Sequence, residues 1–201
     1  MAENPVEDIL GFWFGQEPDE KAVIDDMAGI WWGKKADIDR EIRQRFGDLH
    51  QLLGTGVLDS WRERSRSRLA LIILADQFSR NIFRDSAAAF EQDELALKLA
   101  LVGIEKGMDR ELRSVERVFF YMPLEHSESL AIQQRSVELF RRLAETADPG
   151  EKKAFDNFLD FAVRHQEIIK RFGRFPHRNE AFGRRSTDEE ITFLAQPGSS
   201  F

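Results

Sequence analysis

Apolar residues recur at helical intervals almost from end to end of this chain, and no segment alternates apolar and polar residues with a period of two. That property confines the fold, because an apolar face repeating every three to four residues is buried by a helix and not by a strand. Asn4 and Pro5 form an N-cap and first-turn signature, followed by Val6, Ile9, Leu10 and Trp13 until Gly15. The pattern returns through Ile42, Phe46, Leu49 and Leu53 to Gly54, with Asp37 as the expected cap. Arg66 to Phe83 holds neither Gly nor Pro and carries Leu69 to Ala75, apolar on every side, which predicts a buried central helix. From about Ala88 to Lys106, a stripe of Ala96, Leu97, Ala100, Leu101 and Ile104 predicts a helix whose alanines permit close approach, ended by Gly107.

Ser114, Val118, Phe119 and Met122 lead into Pro123, which must kink or end that helix. Another helix is expected from Glu128 to Ala144, then a start signal at Asp148, Pro149 and Glu151. Phe155, Phe158, Ala162, Ile169 and Phe172 mark the buried side of the long helix that follows, up to Gly173. Thr187 and Glu190 form a last capping box before Ile191 and Leu194. The expected fold is all-α: antiparallel helical hairpins stacked as a tetratricopeptide-like superhelix or an irregular bundle, in one domain over 1–201, with a frayed tail from about residue 197.

Composition narrows the chemistry. With no cysteine, disulfides, thiolate metal sites and cysteine nucleophiles are excluded. A net charge of -7 repels polyanions, so nucleic acid is not an expected partner. No apolar run approaches the roughly 18 residues of a membrane span, and Glu3, Glu7 and Asp8 stand where a secretory leader carries cations, so a cytoplasmic location is expected. Phosphate-binding loops, dinucleotide fingerprints, H-E-x-x-H and G-x-S-x-G are all missing, and no cofactor is expected. The four tryptophans, Trp13, Trp31, Trp32 and Trp61, read as core rather than as a stacking wall. Arg62, Arg64, Arg66 and Arg68 read as a solvated face leading into the central helix.

Three segments are too polar for their settings, each following an apolar helix: DQFSRNIFR (Asp76 to Arg84), FYMPLEHSE (Phe120 to Glu128) and RFGRFPHRN (Arg171 to Asn179). Asp76 and Arg80 are four residues apart with the acid first, the order that suits a helical ion pair, and Gln77, Asn81 and Tyr121 are the neighbours expected to satisfy it. Adjacent Glu125 and His126 point about 100° apart on a helix. Gly173 and Pro176 shape a loop expected to turn Arg174, His177, Arg178 and Asn179 toward one anion. His126, His165 and His177 carry no spacing that demands a metal, and none is assigned; Ser79 and Ser127 are nucleophile candidates by proximity alone.

The same three segments, in this order, resemble the hallmark segments of an uncharacterised bacterial-type family, domain of unknown function 924. The resemblance runs from about Trp31 to Leu194, and it implies an all-helical fold similar to tetratricopeptide superhelices. It departs at Ser79, where a proline is common, which implies a less rigid turn there. It brings no reaction, cofactor or residue role.

From the residues themselves, the leading expectation is a polar cleft of Arg174, His177, Arg178, Asn179, Tyr121, Glu125, His126, Asp76 and Arg80 that binds a small anion or a peptide carboxylate. Two alternatives stand beside it. One is an enzyme using His126 or His177 for acid–base chemistry; the other is an interaction scaffold whose polar network is purely structural.

Overall fold

The computed structural model describes residues 4–199, and every regular element among them is helical. Helix α1 (Pro5–Phe14) starts where Asn4 Oδ1 accepts the Val6 N–H at 3.2 Å and stops at Gly15, φ 70°. Helix α2 (Glu20–Trp31), capped by Asp19, is not among the helices expected from the sequence. Helix α3 (Ala36–His50) begins one residue before Asp37, which therefore sits in the first turn, near the positive helix end, and does not cap it. Helix α4 (Ser65–Ile73) passes through a π-turn at 74–78 into α5 (Ser79–Ile82), so the position where a turn was expected at Ser79 is helical. Helix α6 (Asp93–Glu105) starts later than expected, after a short 3₁₀ turn at 87–90.

Pro123 neither ends α7 (Ser114–Glu125) nor opens a loop; the helix runs two residues past it. Helices α8 (Leu130–Thr146) and α9 (Lys152–Phe172) form the most extensively packed hairpin. The Asp148 side chain does not cap α9. Its carbonyl instead accepts from Glu151 N and Lys152 N, so the helix starts after Glu151. Gly173 (φ 68°) closes α9 in the left-handed conformation as expected, and the Thr187–Glu190 capping box opens α10 (Asp188–Leu194). The expected frayed tail is only partly described. Ser199 Oγ donates to Leu194 O, and residues 200–201 lie outside the described residues.

Helix α4 lies in the middle, against α1, α6 and α7, which explains why all its residues from Arg68 to Ile73 are buried. Trp13 and Trp31 lie in an aromatic core with Phe14, Phe78 and Phe119. Arg68 is not solvated as expected: it is buried, and it donates to the carbonyls of Leu99 and Arg62. Its guanidinium thereby satisfies peptide groups that helix packing shields from water. No helix among the described residues is long and apolar enough to cross a membrane.

Candidate functional site

The π-turn sits where the central helix meets α7. In a π-turn the backbone bonds i to i+5 and bulges by one residue, an uncommon arrangement that recurs at functional sites. Here it buries five consecutive side chains, Leu74 to Phe78, including Asp76 and Gln77. Asp76 is 1% exposed and fully occupied. Its Oδ1 lies 2.7 Å from His126 Nδ1 and 3.2 Å from Arg80 Nη1, and Gln77 Nε2 donates to Oδ2 at 2.6 Å. Burial opposes the charge of Asp76, but Arg80 and His126 overcome it and hold the carboxyl well below the usual range.

Arg80 is clamped between two carboxylates. Its Nη1 also donates to the Asp76 carbonyl at 2.8 Å and stands 2.9 Å from Asp93 Oδ1, while Nη2 reaches Asp93 Oδ2 at 3.2 Å. Asp93 extends the network to Arg178, whose Nη1 donates to Asp93 Oδ2 at 3.2 Å and to the His126 carbonyl at 3.0 Å. Sequence reasoning missed Asp93, because it lies outside the three polar segments and inside a helix expected to start at about Ala88.

The end of α7 presents two functional groups to two neighbours. Glu125 is the last helical residue and His126 the C-cap, so the rotation between them sends His126 to Asp76 and Glu125 to α9, where its Oε2 lies 3.6 Å from His165 Nδ1. Gln133 of α8 braces this end by donating to the Glu125 and Ser127 carbonyls at 2.5 and 2.7 Å. Burial, and then the charge of Asp76, push the Glu125 carboxyl well above its ordinary value, opposite in direction to Asp76. Burial and Arg80 hold the His126 imidazole below its ordinary value against the opposing pull of Asp76. Because a carboxylate and a carbonyl only accept, His126 Nδ1 carries the proton toward Asp76 and His165 Nδ1 carries one toward the Phe161 carbonyl at 2.8 Å. Burial depresses His165 to about 3, and burial with Arg178, His126 and Arg80 depresses His177 to about 4.

Other expected members lie elsewhere. Tyr121 donates to Asp109 Oδ2 at 2.6 Å, not to Asp76. Arg174 is bidentate to Glu190 at 2.7 and 2.8 Å, and Asn179 donates to Ser186 Oγ and Glu190 Oε2, so both lock α10 onto the 173–179 loop. Their donors are consumed by a carboxylate of the chain itself, and the two-forked anion cradle expected on this loop is not formed. Asn81 serves Asp39, together with a bidentate Arg84 at 2.5 and 2.7 Å. Ser79 is buried, donates to the Ala75 carbonyl at 2.6 Å and pairs with His50 Nε2 at 2.7 Å; its hydroxyl proton is committed and no nucleophile is formed. No three of the His, Asp and Glu side chains among the described residues group as a metal-binding set. Asp76, Arg80, Glu125, His126, His177 and Arg178 are the expected members that the fold does bring together.

The chain has relatives. A solved structure of a protein of unknown function from Agrobacterium tumefaciens superposes with a TM-score of 0.79 at 37% identity, covering 94% of this chain and 96% of that one. No curated protein matches the chain. A family profile described as a bacterial protein of unknown function, DUF924, matches residues 9–198, which span the π-turn, the end of α7 and the 173–179 loop. The chain therefore belongs to the bacterial DUF924 family.

Proposed function

We propose that this protein is an acid–base catalyst in which His126 exchanges a proton with a bound small molecule or with a water that attacks it. One observation carries the reading: the His126 Nδ1–H is fixed 2.7 Å from a buried, ionised carboxylate, which leaves Nε2 as the basic atom of the ring. Asp76 orients the imidazole, sets its tautomer and stabilises the imidazolium formed during proton transfer. Glu125 is the complementary acid, because its environment pushes its carboxyl up where that of Asp76 holds it down. With Ser79 committed and no cysteine in the chain, the chemistry suits water activation or proton abstraction rather than a covalent intermediate.

Long-range ¹H–¹⁵N NMR of the imidazoles tests the reading directly. At pH above about 7, His126 is expected as the Nδ1–H tautomer with an unprotonated Nε2, and Asp76→Ala is expected to lose that preference. A turnover screen of hydrolysable and enolisable compounds is expected to yield an activity that His126→Gln lowers by about 10²- to 10⁴-fold in kcat. An Nε2–H tautomer, or turnover indifferent to His126→Gln, would favour the purely structural network instead.

A further inference from the structure

Arg178 is placed as a receptor is placed. Its side chain is almost fully buried, and the guanidinium carbon lies over two rings, 4.8 Å from the Phe90 centroid and 4.7 Å from that of Phe175. Both hydrogen bonds it makes leave from Nη1, to Asp93 and to the His126 carbonyl. On the other edge, Nε–H is buried and has no hydrogen-bond partner among the described residues. Every other guanidinium of the 171–185 segment that forms a bond from Nε or a bidentate fork does so with a carboxylate of the chain: Arg171 with Glu189, Arg174 with Glu190 and Arg184 with Glu128. Arg184 Nε is likewise buried without a partner, but its Nη1 and Nη2 both bond Glu128, whereas Arg178 meets one carboxylate, from Nη1 alone.

A buried donor without an acceptor is costly, and a cation whose charge is incompletely balanced is costlier. Burial, with Arg80 nearby, lowers the Arg178 guanidinium to about 10 despite the pull of Asp93. The side-on edge formed by Nε and Nη2 is the edge that matches a carboxylate in two parallel bonds. Because two rings and Asp93 hold the guanidinium, that fork is rigid, and binding costs little side-chain ordering.

We propose that the Nε–Nη2 edge of Arg178 binds the carboxylate of a small organic acid, and that this acid is the ligand of the His126 site. The fork and the imidazole belong to one unit, since the Arg178 Nη1 that anchors the guanidinium is bonded to His126's own carbonyl. The body of the ligand is apolar and planar. Phe182 is 44% exposed and lies 5.5 Å from Phe90, so an aromatic shelf leads from solvent to a ring under the guanidinium. What happens to the bound acid rests on the acid–base reading of His126; that it binds does not.

Benzoate is the probe, titrated into the full chain at constant ionic strength with sodium chloride as the compensating salt. It is expected to raise the melting temperature saturably and to shift the Arg178 Nε–H resonance in ¹⁵N NMR. Acetate is expected to move the same resonance more weakly. Phe182→Ala, a surface change, should weaken benzoate and leave acetate unaltered. Arg178→Lys keeps the charge and removes the fork, and should weaken benzoate by at least about tenfold. If that variant fails to fold, the Nε–H shift in the unaltered protein still decides. Stabilisation no greater than that of chloride, a shift confined to other arginines, or saturable binding of inorganic phosphate tighter than benzoate would each overturn the proposal. His126→Gln should still bind benzoate, so loss of catalysis with retained binding separates failure of this proposal from failure of the acid–base reading.

Discussion

Asp76 has three side-chain partners and almost no contact with water, so its charge is stable only while they remain. Asp76→Ala leaves Arg80 without one of its two carboxylates and His126 without an acceptor, and is expected to cost about 3 to 5 kcal/mol in urea unfolding. Asp25→Ala, which breaks the exposed Lys21–Asp25 pair, should leave the midpoint of the same measurement nearly unchanged. Glu125 behaves in the opposite sense. Its carboxyl titrates higher in the folded protein than in the unfolded chain, so the fold binds the extra proton and stability from this group is lost as pH rises above its ordinary 4.5. Glu125→Gln cannot titrate. The stability of this variant relative to the unaltered protein should therefore climb as pH rises above 4.5, read as the difference between two unfolding midpoints.

At the scale of the element, close helix contact is decided by single methyl groups. The stripe on α6 expected from its alanines is present but rotated, with Ala96, Leu99, Ala100 and Gly103 buried and Leu97, Leu101 and Ile104 only half-buried. A Cβ on Gly103 would fall against the Phe120 ring and within 2.8 Å of Arg68 Cδ. Helix propensity favours alanine by about 1 kcal/mol, but overpacking costs about 1 to 3 kcal/mol, so Gly103→Ala should lower the melting temperature. Gly47 in α3 is the contrasting case. Its added Cβ would meet only Arg43 Cγ at 4.0 Å, and Gly47→Ala should stabilise by about 0.5 to 1 kcal/mol. The π-turn of 74–78 was not legible from spacing, because an inserted residue inside an apolar run leaves no break in the pattern. The turn is packed against α3 and α6.

For the whole molecule, all four histidines are held below their ordinary value, each chiefly by burial. The unfolded chain takes up protons near 6.5, whereas folded His177 and His165 wait until about 4 and 3. The histidine contribution to stability should therefore be level above about pH 7 and fall as pH drops from 6.5 toward 4, with Glu125 offsetting one proton of the loss. Urea midpoints across that range check it, and a rise in stability on acidification would contradict it. His165→Gln should make the fall shallower.

The sequence by itself determined that the chain is helical, where several helices begin and end, and that Asp76 and Arg80 pair. Asn4, Gly173 and the Thr187–Glu190 box act within four residues of themselves, so periodicity and cap chemistry are enough to place them. Which arginine stays open and which is spent was settled by the tertiary structure alone. Arg174 and Arg178 are one helical turn apart in the same loop, yet Glu190 takes the first and Asp93, 85 residues away in sequence, meets the second from one side only. A long cationic side chain finds its partner through whichever element packs beside it, and that information is not carried by its neighbours in the chain.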